Sequence, residues 1–203
     1  MFSYCYDNFD HCVLPISLES ITTLPVALQK HIQQRNQSID QAASTCAWQL
    51  LKMLLAKDGV CADDYLKDVV FSTSGKPYFS THSHLHFNYS HSRAHVICAL
   101  SQQPIGIDIE HIQPYDASIL PDYFTAREQQ YIQYADQPTL TFYELWTKKE
   151  SFLKCTGQGI TSIDLTQLEV LNEFIIQSGE KYIFHPLNLF DHGCVSYACV
   201  KAM

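Results

Sequence analysis

Gly106-Ile107-Asp108-Ile109-Glu110, taken with Trp146-Thr147-Lys148-Lys149-Glu150-Ser151-Phe152-Leu153-Lys154 further along, is where the chain declares its architecture. The first stretch alternates with a period of two, which predicts a half-buried strand. Ile105, Ile107 and Ile109 point to one face, and Gly106, Asp108 and Glu110 to the other. Carboxylates two positions apart on a strand stand roughly 6.5–7 Å apart along the backbone. That is within reach of one hard cation, and without a cation they repel. Asp108, Glu110 and Glu150 therefore make physical sense as a set around Mg²⁺ or a similar ion.

In the second stretch, Thr141 and Glu144 fit a capping box that opens a helix over 142–156, and Gly157 stands where it would end. Helical spacing gathers Phe142, Leu145, Trp146, Phe152 and Leu153 on one side. Glu150 lies at the edge of that stripe, on the flank of Tyr143, Trp146 and Lys154. Its spacing to Lys154 also fits a surface ion pair worth about 0.2–0.5 kcal/mol. Lys149 projects near the centre of the apolar stripe, where an ammonium needs a carboxylate, phosphate or carbonyl partner. Together with Asp108 and Glu110, this favours a site over plain surface.

Length and composition bound the rest. With 203 residues the chain has room for one large domain or two small ones. Apolar residues at 46% and aromatics at 12% supply a packed core and argue against disorder. The formal net charge is −8 and basic residues form no stripe, which argues against a general nucleic-acid binder. No apolar run approaches a membrane span and the N-terminus lacks a charged segment leading into an apolar one, so a soluble, cytoplasmic protein is expected. Cys5, Cys12, Cys46, Cys61, Cys98, Cys155, Cys194 and Cys199 form no Cys-x-x-Cys pair, and are expected as buried free thiols of a reducing cytosol.

Along the chain, Ser38 and Gln41 fit a capping box opening a helix over 38–56, with Ala42, Ala43, Cys46, Ala47, Leu50, Leu51, Leu54 and Leu55 at helical spacing. An irregular acidic stretch near 58–68 follows, then strands at 69–71, 77–79, 86–90 and 95–100. Ser101–Pro104 turn into the strand 105–110. In the second half, Thr125 and Glu128 fit another capping box, and strands are expected near 168–171, 174–177, 182–185 and 194–201. Each half runs long helix, short strands, final apolar strand, setting Trp48 against Trp146 and Cys98 against Cys199. The expectation is an α+β fold built by pseudo-twofold duplication of two similar halves, residues 1–103 and 104–203, with a cleft between them.

Other polar clusters have two readings each. Asn88-Tyr89-Ser90-His91-Ser92 ends a strand and offers hydroxyls, an imidazole and backbone N–H groups to a phosphate, or is a polar turn. Gly75-Lys76-Pro77 presents one lysine on a turn. His82, His84 and His86 alternate as metal ligands would, or are plain exposed histidines.

These segments, in this order, resemble the 4′-phosphopantetheinyl transferases of the surfactin-synthetase-activating type. The likeness runs through Gly75-Lys76-Pro77, Phe87–Ser92, Pro104–Glu110, Phe124-Thr125-Ala126-Arg127-Glu128 and Trp146–Lys154, and fades towards both ends. The joint occurrence of Gly-x-Asp-x-Glu and Trp-x-x-Lys-Glu-x-x-x-Lys makes it specific. Such enzymes move phosphopantetheine from coenzyme A to a serine of an acyl or peptidyl carrier protein, releasing adenosine 3′,5′-bisphosphate. Their coenzyme A sits in the cleft of a pseudo-twofold pair of α+β halves. The resemblance implies that Asp108, Glu110 and Glu150 bind Mg²⁺ with the pyrophosphate. It also implies that Glu150, directly or through a metal-bound water, takes the proton of the carrier serine. Lys154 would offset charge on the leaving phosphate, with Asp108 and His91 also counted as catalytic. Lys76, Ser90 and His91 would hold the coenzyme A phosphates, joined by Ser44, Lys30 and His31 on the nucleotide side.

The residue types suit that chemistry. Attack of a hydroxyl on a diphosphate needs positioning and charge neutralisation above all, and a carboxylate next to a metal supplies a base. The chain departs from its relatives on the first helix, where Ala43, Ser44 and Ala47 stand for an arginine, a threonine and a glycine. Lys30, His31 and Arg35 are then the basic candidates for the 3′-phosphate. Glu128 reads as a helix cap by spacing and as a cleft residue by resemblance. Carrier proteins are usually acidic, as is this chain, so docking is expected at a local patch joining apolar residues with Arg127, Lys148 or nearby lysines. A monomer is expected, with no nucleic-acid or membrane partner, serving fatty acid, polyketide or nonribosomal peptide synthesis. The rival readings are a Mg²⁺-dependent phosphodiesterase or nuclease, and a catalytically silent module that holds carrier proteins.

Overall fold

His95–Ser101 (β5) is buried at every position, as befits a strand covered on both faces. It pairs antiparallel with β1 (Phe2–Asn8) on one side and with β4 (His86–Ser92) on the other, in the order β1-β5-β4. The computed structural model describes residues 2–8 (backbone only), 21–35, 37–93, 95–187 and 193–203. The chain divides into two units, Met1–Gln102 and Gln103–Met203, each a mixture of helices and antiparallel strands.

In the N-terminal unit α1 (Val26–Gln33) leads into the long helix α2 (Ser38–Lys57), and then come α3 (Ala62–Lys67) and a two-stranded ribbon of β2 (Val69–Phe71) and β3 (Pro77–Phe79). The helical spacing of Ala43, Ala47, Leu51, Leu54 and Leu55 gives α2 a fully buried face. Trp48 on that helix meets the rings of Phe87 at 5.8 Å and Tyr89 at 5.6 Å edge-on, so helix and sheet share one core. The Ser38–Gln41 capping box does not form. Gln37 takes the cap position without a side-chain bond, and the Gln41 amide donates to the Arg35 carbonyl at 2.9 Å, closing the turn between the two helices.

The C-terminal unit runs β6 (Ile105–His111), α4 (Leu120–Tyr123), α5 (Ala126–Gln133), α6 (Pro138–Thr156), β7 (Phe174–Gln177), β8 (Glu180–Leu187) and β9 (Cys194–Lys201), with sheet order β6-β9-β8-β7. In both units the first strand pairs with the last and the last with the one before it, and a long helix follows the first strand. The helix α6 starts earlier than expected. Pro138 occupies its first turn, where a missing N–H costs nothing, so Thr141 lies inside the helix and caps nothing. Gly157 ends it in the left-handed conformation, φ 76°, as its position predicts. The strand expected at 168–171 is absent; Leu165–Gln167 form a 3₁₀ turn and the chain runs on irregularly. The acidic stretch near 58–68 holds the short helix α3, and β1 adds a strand that composition had not suggested.

Of the cysteines described with side chains, Cys46, Cys98, Cys155, Cys194 and Cys199 are buried free thiols and Cys61 is exposed. Cys12 lies outside the described residues, and Cys5 is described by its backbone alone. Among the described residues no helix is long and apolar enough to cross a membrane.

Candidate active site

The strand β6 is buried on both faces, not one. Ile105, Ile107 and Ile109 are fully buried, and Gly106 and Asp108 on the opposite face are buried as well. The reason is α6, which crosses that second face with the two backbones touching. A Cβ placed on Gly106 would stand 2.0 Å from the Ser151 carbonyl oxygen, 2.2 Å from the Cys155 nitrogen and 2.8 Å from the Lys154 carbonyl carbon. Only glycine admits the helix there, and glycine inside a strand is the sequence signal of such an approach. Ser151 is fully buried at the crossing.

This crossing sets Asp108 against the last turns of α6. Lys154 Nζ donates to Asp108 Oδ1 at 2.6 Å; the Asp108 side chain is 3% exposed and the Lys154 side chain 29%. Glu150, one helical turn before Lys154, is half-buried. Its carboxyl is pushed up from the ordinary range by burial first and by the Asp108 charge second, while Lys154 draws it back down. Asp108 itself is pinned from β9, where Ser196 Oγ donates to the Asp108 carbonyl oxygen at 2.6 Å. Sequence reasoning passed over Ser196, whose only signal is a hydroxyl in an otherwise apolar strand. Glu110 stands opposite Val195 on β9, half-buried. Burial, with the Glu110 charge adding to it, pushes the Cys194 thiol up to about 11.

Among the described residues no group of three or more His, Cys, Asp or Glu side chains is gathered closely enough to hold a metal ion. Asp108, Glu110 and Glu150 thus do not form a ready-made triad. What β6 and α6 bring together is Asp108, Glu150 and an ammonium. Carboxylates that repel each other turn to whatever cation is at hand, and here Lys154 is that cation. The donor set still fits a hard divalent ion, since both carboxylates offer oxygens and their shared field already holds a positive charge.

Lys149 finds its partners inside the protein. Fully buried, its Nζ lies 2.9 Å from Glu128 Oε2 and donates to the carbonyls of Leu165, at 2.9 Å, and Leu168. The Phe124 ring lies 5.4 Å from the same ammonium. Glu128 is doubly used. It closes the capping box with Thr125 at the start of α5, and its Oε1 accepts from Val170 N at 2.8 Å. Of its two readings, the cap is realised, extended by a buried ion pair. Lys148 is not a docking residue either. It is 9% exposed, donates to the carbonyls of Val170 and Asn172 at 3.3 Å each, and sits near the rings of Tyr197 and Phe184. These two lysines and one glutamate take the carbonyls of Leu165, Leu168, Val170 and Asn172 and the Val170 N–H, backbone groups that a sheet partner would otherwise bond. Arg127 is exposed and paired with Glu169 at 2.7 Å.

The remaining candidates belong to the N-terminal unit. On β4, Phe87 and Tyr89 face α2, so strand alternation puts His91 on that face and Ser90, 6% exposed, on the other. Neighbours in sequence, the two residues do not share a face. Lys76 follows the Gly75 turn and its N–H donates to Ser72 Oγ at 3.0 Å. Lys30 is exposed on α1, His31 stacks on Phe71 at 4.1 Å, and Ser44 is buried on α2. His82 and His84 gather round Tyr65, and among the described residues they form no group with His86 that could hold a metal ion. His82 stacks on its ring at 4.0 Å, and His84 Nε2 lies 3.4 Å from its hydroxyl. Asp68 accepts from Ser80 Oγ at 2.5 Å, Thr81 N at 2.9 Å, His82 N at 3.1 Å and His82 Nδ1 at 2.8 Å.

Comparison with known proteins points the same way as β6 and α6. The model of the 4′-phosphopantetheinyl transferase superfamily matches residues 104–195, the span that holds both elements. A 4′-phosphopantetheinyl transferase of Bacillus subtilis is 43% identical over 89 residues, which is 43% of this chain and 40% of that protein. The 4′-phosphopantetheinyl transferase Sfp of Bacillus subtilis (strain 168) is 43% identical over 98 residues, 46% of this chain and 44% of the other. In these Bacillus proteins the likeness spans less than half of their length. The 4′-phosphopantetheinyl transferase AcpT of Salmonella typhimurium is 32% identical over 159 residues, and there the match takes in 74% of this chain and 77% of the relative. On the strength of that long match, the chain belongs to the 4′-phosphopantetheinyl transferase superfamily.

Proposed function

We propose that this protein transfers the 4′-phosphopantetheine group of coenzyme A to a serine hydroxyl of an acyl or peptidyl carrier protein. The serine oxygen forms a bond to the pantetheine phosphorus, the pyrophosphate P–O bond breaks, and adenosine 3′,5′-bisphosphate leaves. The observation that carries this reading is the meeting of Asp108, Glu150 and Lys154 where β6 crosses α6. A half-buried carboxyl raised above its ordinary range is suited to accept a proton, and an ammonium beside it is suited to neutralise a leaving phosphate.

Each residue has a role in this reading. Glu150 takes the serine proton. Lys154 meets the charge that develops on the departing bisphosphate, and His91 is the remaining catalytic candidate of the sequence reading. Asp108 and Glu150, joined by Glu110 as the third carboxylate of the sequence reading, would hold Mg²⁺, which would supply charge neutralisation to the pyrophosphate. Lys76, Ser90, His91, Ser44, Lys30 and His31 are the proposed coenzyme A ligands, with Arg35 beside His31 as a further cation for the 3′-phosphate. The protein acts in the cytoplasm as a monomer.

The test is mass spectrometry of candidate apo carrier proteins after incubation with the protein, coenzyme A and Mg²⁺. A phosphopantetheine mass gained by at least one carrier is expected. No gain across carriers of fatty acid, polyketide and nonribosomal peptide synthesis would overturn the reading.

A further inference from the structure

Asp108 is 3% exposed and its Oδ1 already lies 2.6 Å from the Lys154 ammonium. A divalent ion taking that oxygen binds at about 2.0–2.1 Å, and two cations cannot share it so closely without strong repulsion. Of the two partners, Lys154 is the one able to leave. Its side chain is 29% exposed, it ends a flexible four-carbon stem, and it stands in the last turn of α6. Asp108 cannot follow it, because β9 pins its backbone through Ser196 and β6 is locked to α6 at Gly106. Glu150 faces the same charges from the helix side, repelled by Asp108 and drawn by Lys154.

We infer that Lys154 is the resident counter-ion of the Asp108–Glu150 pair, and that a divalent cation binds there only by displacing its ammonium. This rests on the reading of Asp108 and Glu150 as magnesium ligands. Ion entry and lysine release are then one event. The lysine becomes available to phosphate oxygens only once the ion is in place, which orders the two steps. The same coupling offsets one of the two carboxylate charges when no ion is present, so the unloaded protein does not bear the full repulsion between buried Asp108 and half-buried Glu150.

The experiment uses the full chain without coenzyme A or carrier, and Mn²⁺ as the probe, its free signal followed by electron paramagnetic resonance at a pH of about 8, where carboxylates are ionised. Lys154→Met should bind Mn²⁺ at least about fivefold more tightly than the native protein, the lower end of ordinary coupling between sites. Lys154→Arg, which keeps the charge, should not. Asp108→Asn should lose the binding. A second readout needs no variant: on the native protein, Mg²⁺ should raise the reactivity of Lys154 towards an amine-acylating reagent, read by peptide mass. Native and Lys154→Met proteins binding equally through Asp108, or a Lys154 reactivity indifferent to Mg²⁺, would overturn this inference alone. No Mn²⁺ binding in any of them would remove the magnesium reading, and this inference with it.

Discussion

Replacing Gly106 by alanine adds one methyl group at the place where β6 meets the helix backbone. The added carbon would lie 2.0 Å from the Ser151 carbonyl oxygen, and ordinary van der Waals separation begins at 3.4 Å, so strand and helix must part by the difference, 1.4 Å. No side chain can swing aside, because the three nearest atoms are all backbone. Nor can α6 retreat freely, since its far side is held by Lys149 and Glu128. Overpacking of this kind costs about 1–3 kcal/mol and sometimes more. For a chain of this length that lowers the melting temperature by roughly 2–4 °C for each kcal/mol. The retreat also carries Glu150 and Lys154 away from Asp108, and a displacement near 1 Å costs on the order of 100-fold in rate. Thermal unfolding and the rate of phosphopantetheine transfer would both be measured, with Gly159→Ala alongside. A Cβ at Gly159 meets nothing within 4 Å, so that variant should keep native stability and rate. Native melting and native transfer in Gly106→Ala would refute the reasoning.

Glu150→Gln should lower the transfer rate by at least about 100-fold, the range of a lost general base. Because burial and Asp108 disfavour the Glu150 charge, its circular dichroism and melting should be no worse than native; a rate within a few-fold of native would reject its role. Lys149→Met leaves Glu128 as a buried unpaired charge and should cost about 3–5 kcal/mol in urea unfolding, with Glu128→Gln in the same chain recovering part of it. A loss under about 1 kcal/mol would mean the pair does not hold the unit together. Asp68 gives a pH signature. Burial would raise its carboxyl, but hydrogen bonds from Ser80, Thr81 and His82 hold it well below its usual 3.8. A carboxyl depressed by folding contributes stability above its unfolded value and loses it as the pH falls towards the folded one. Asp68→Asn should therefore melt below the native protein at neutral pH, with the gap shrinking as the pH drops under 3.8; a gap constant with pH would contradict this.

Periodic elements were legible. The helix α2, the strands at 69–71, 77–79 and 194–201, and the C-terminal Gly157 all lie where apolar spacing and turn residues put them. The pairing of Asp108 with the helix that carries Glu150 was legible too, since a strand and a helix with charges at the same edge have few ways to satisfy them. What failed was context. Leu168–Leu171 has the composition of a strand, but its backbone partners come from Lys148, Lys149 and Glu128, and no local pattern records a pairing over such a separation. The need of Lys149 for a carboxylate or carbonyl was readable; that it takes both was not. Ser38–Gln41 and Thr141–Glu144 match a capping box by spacing, yet the chain enters each helix at another residue, Gln37 or Gln137.

Anchoring 165–172 by ammonium groups has a further effect on how this part of the chain can vary. A ladder imposes a two-residue repeat, so one inserted residue turns a whole strand inside out. Carbonyls gripped one by one from a neighbouring helix obey no such repeat. The exposed stretch from Gln158 to Thr161 can therefore lengthen or shorten without disturbing the anchors beyond it, making it the natural place for related chains to differ in length and for a tag to be inserted.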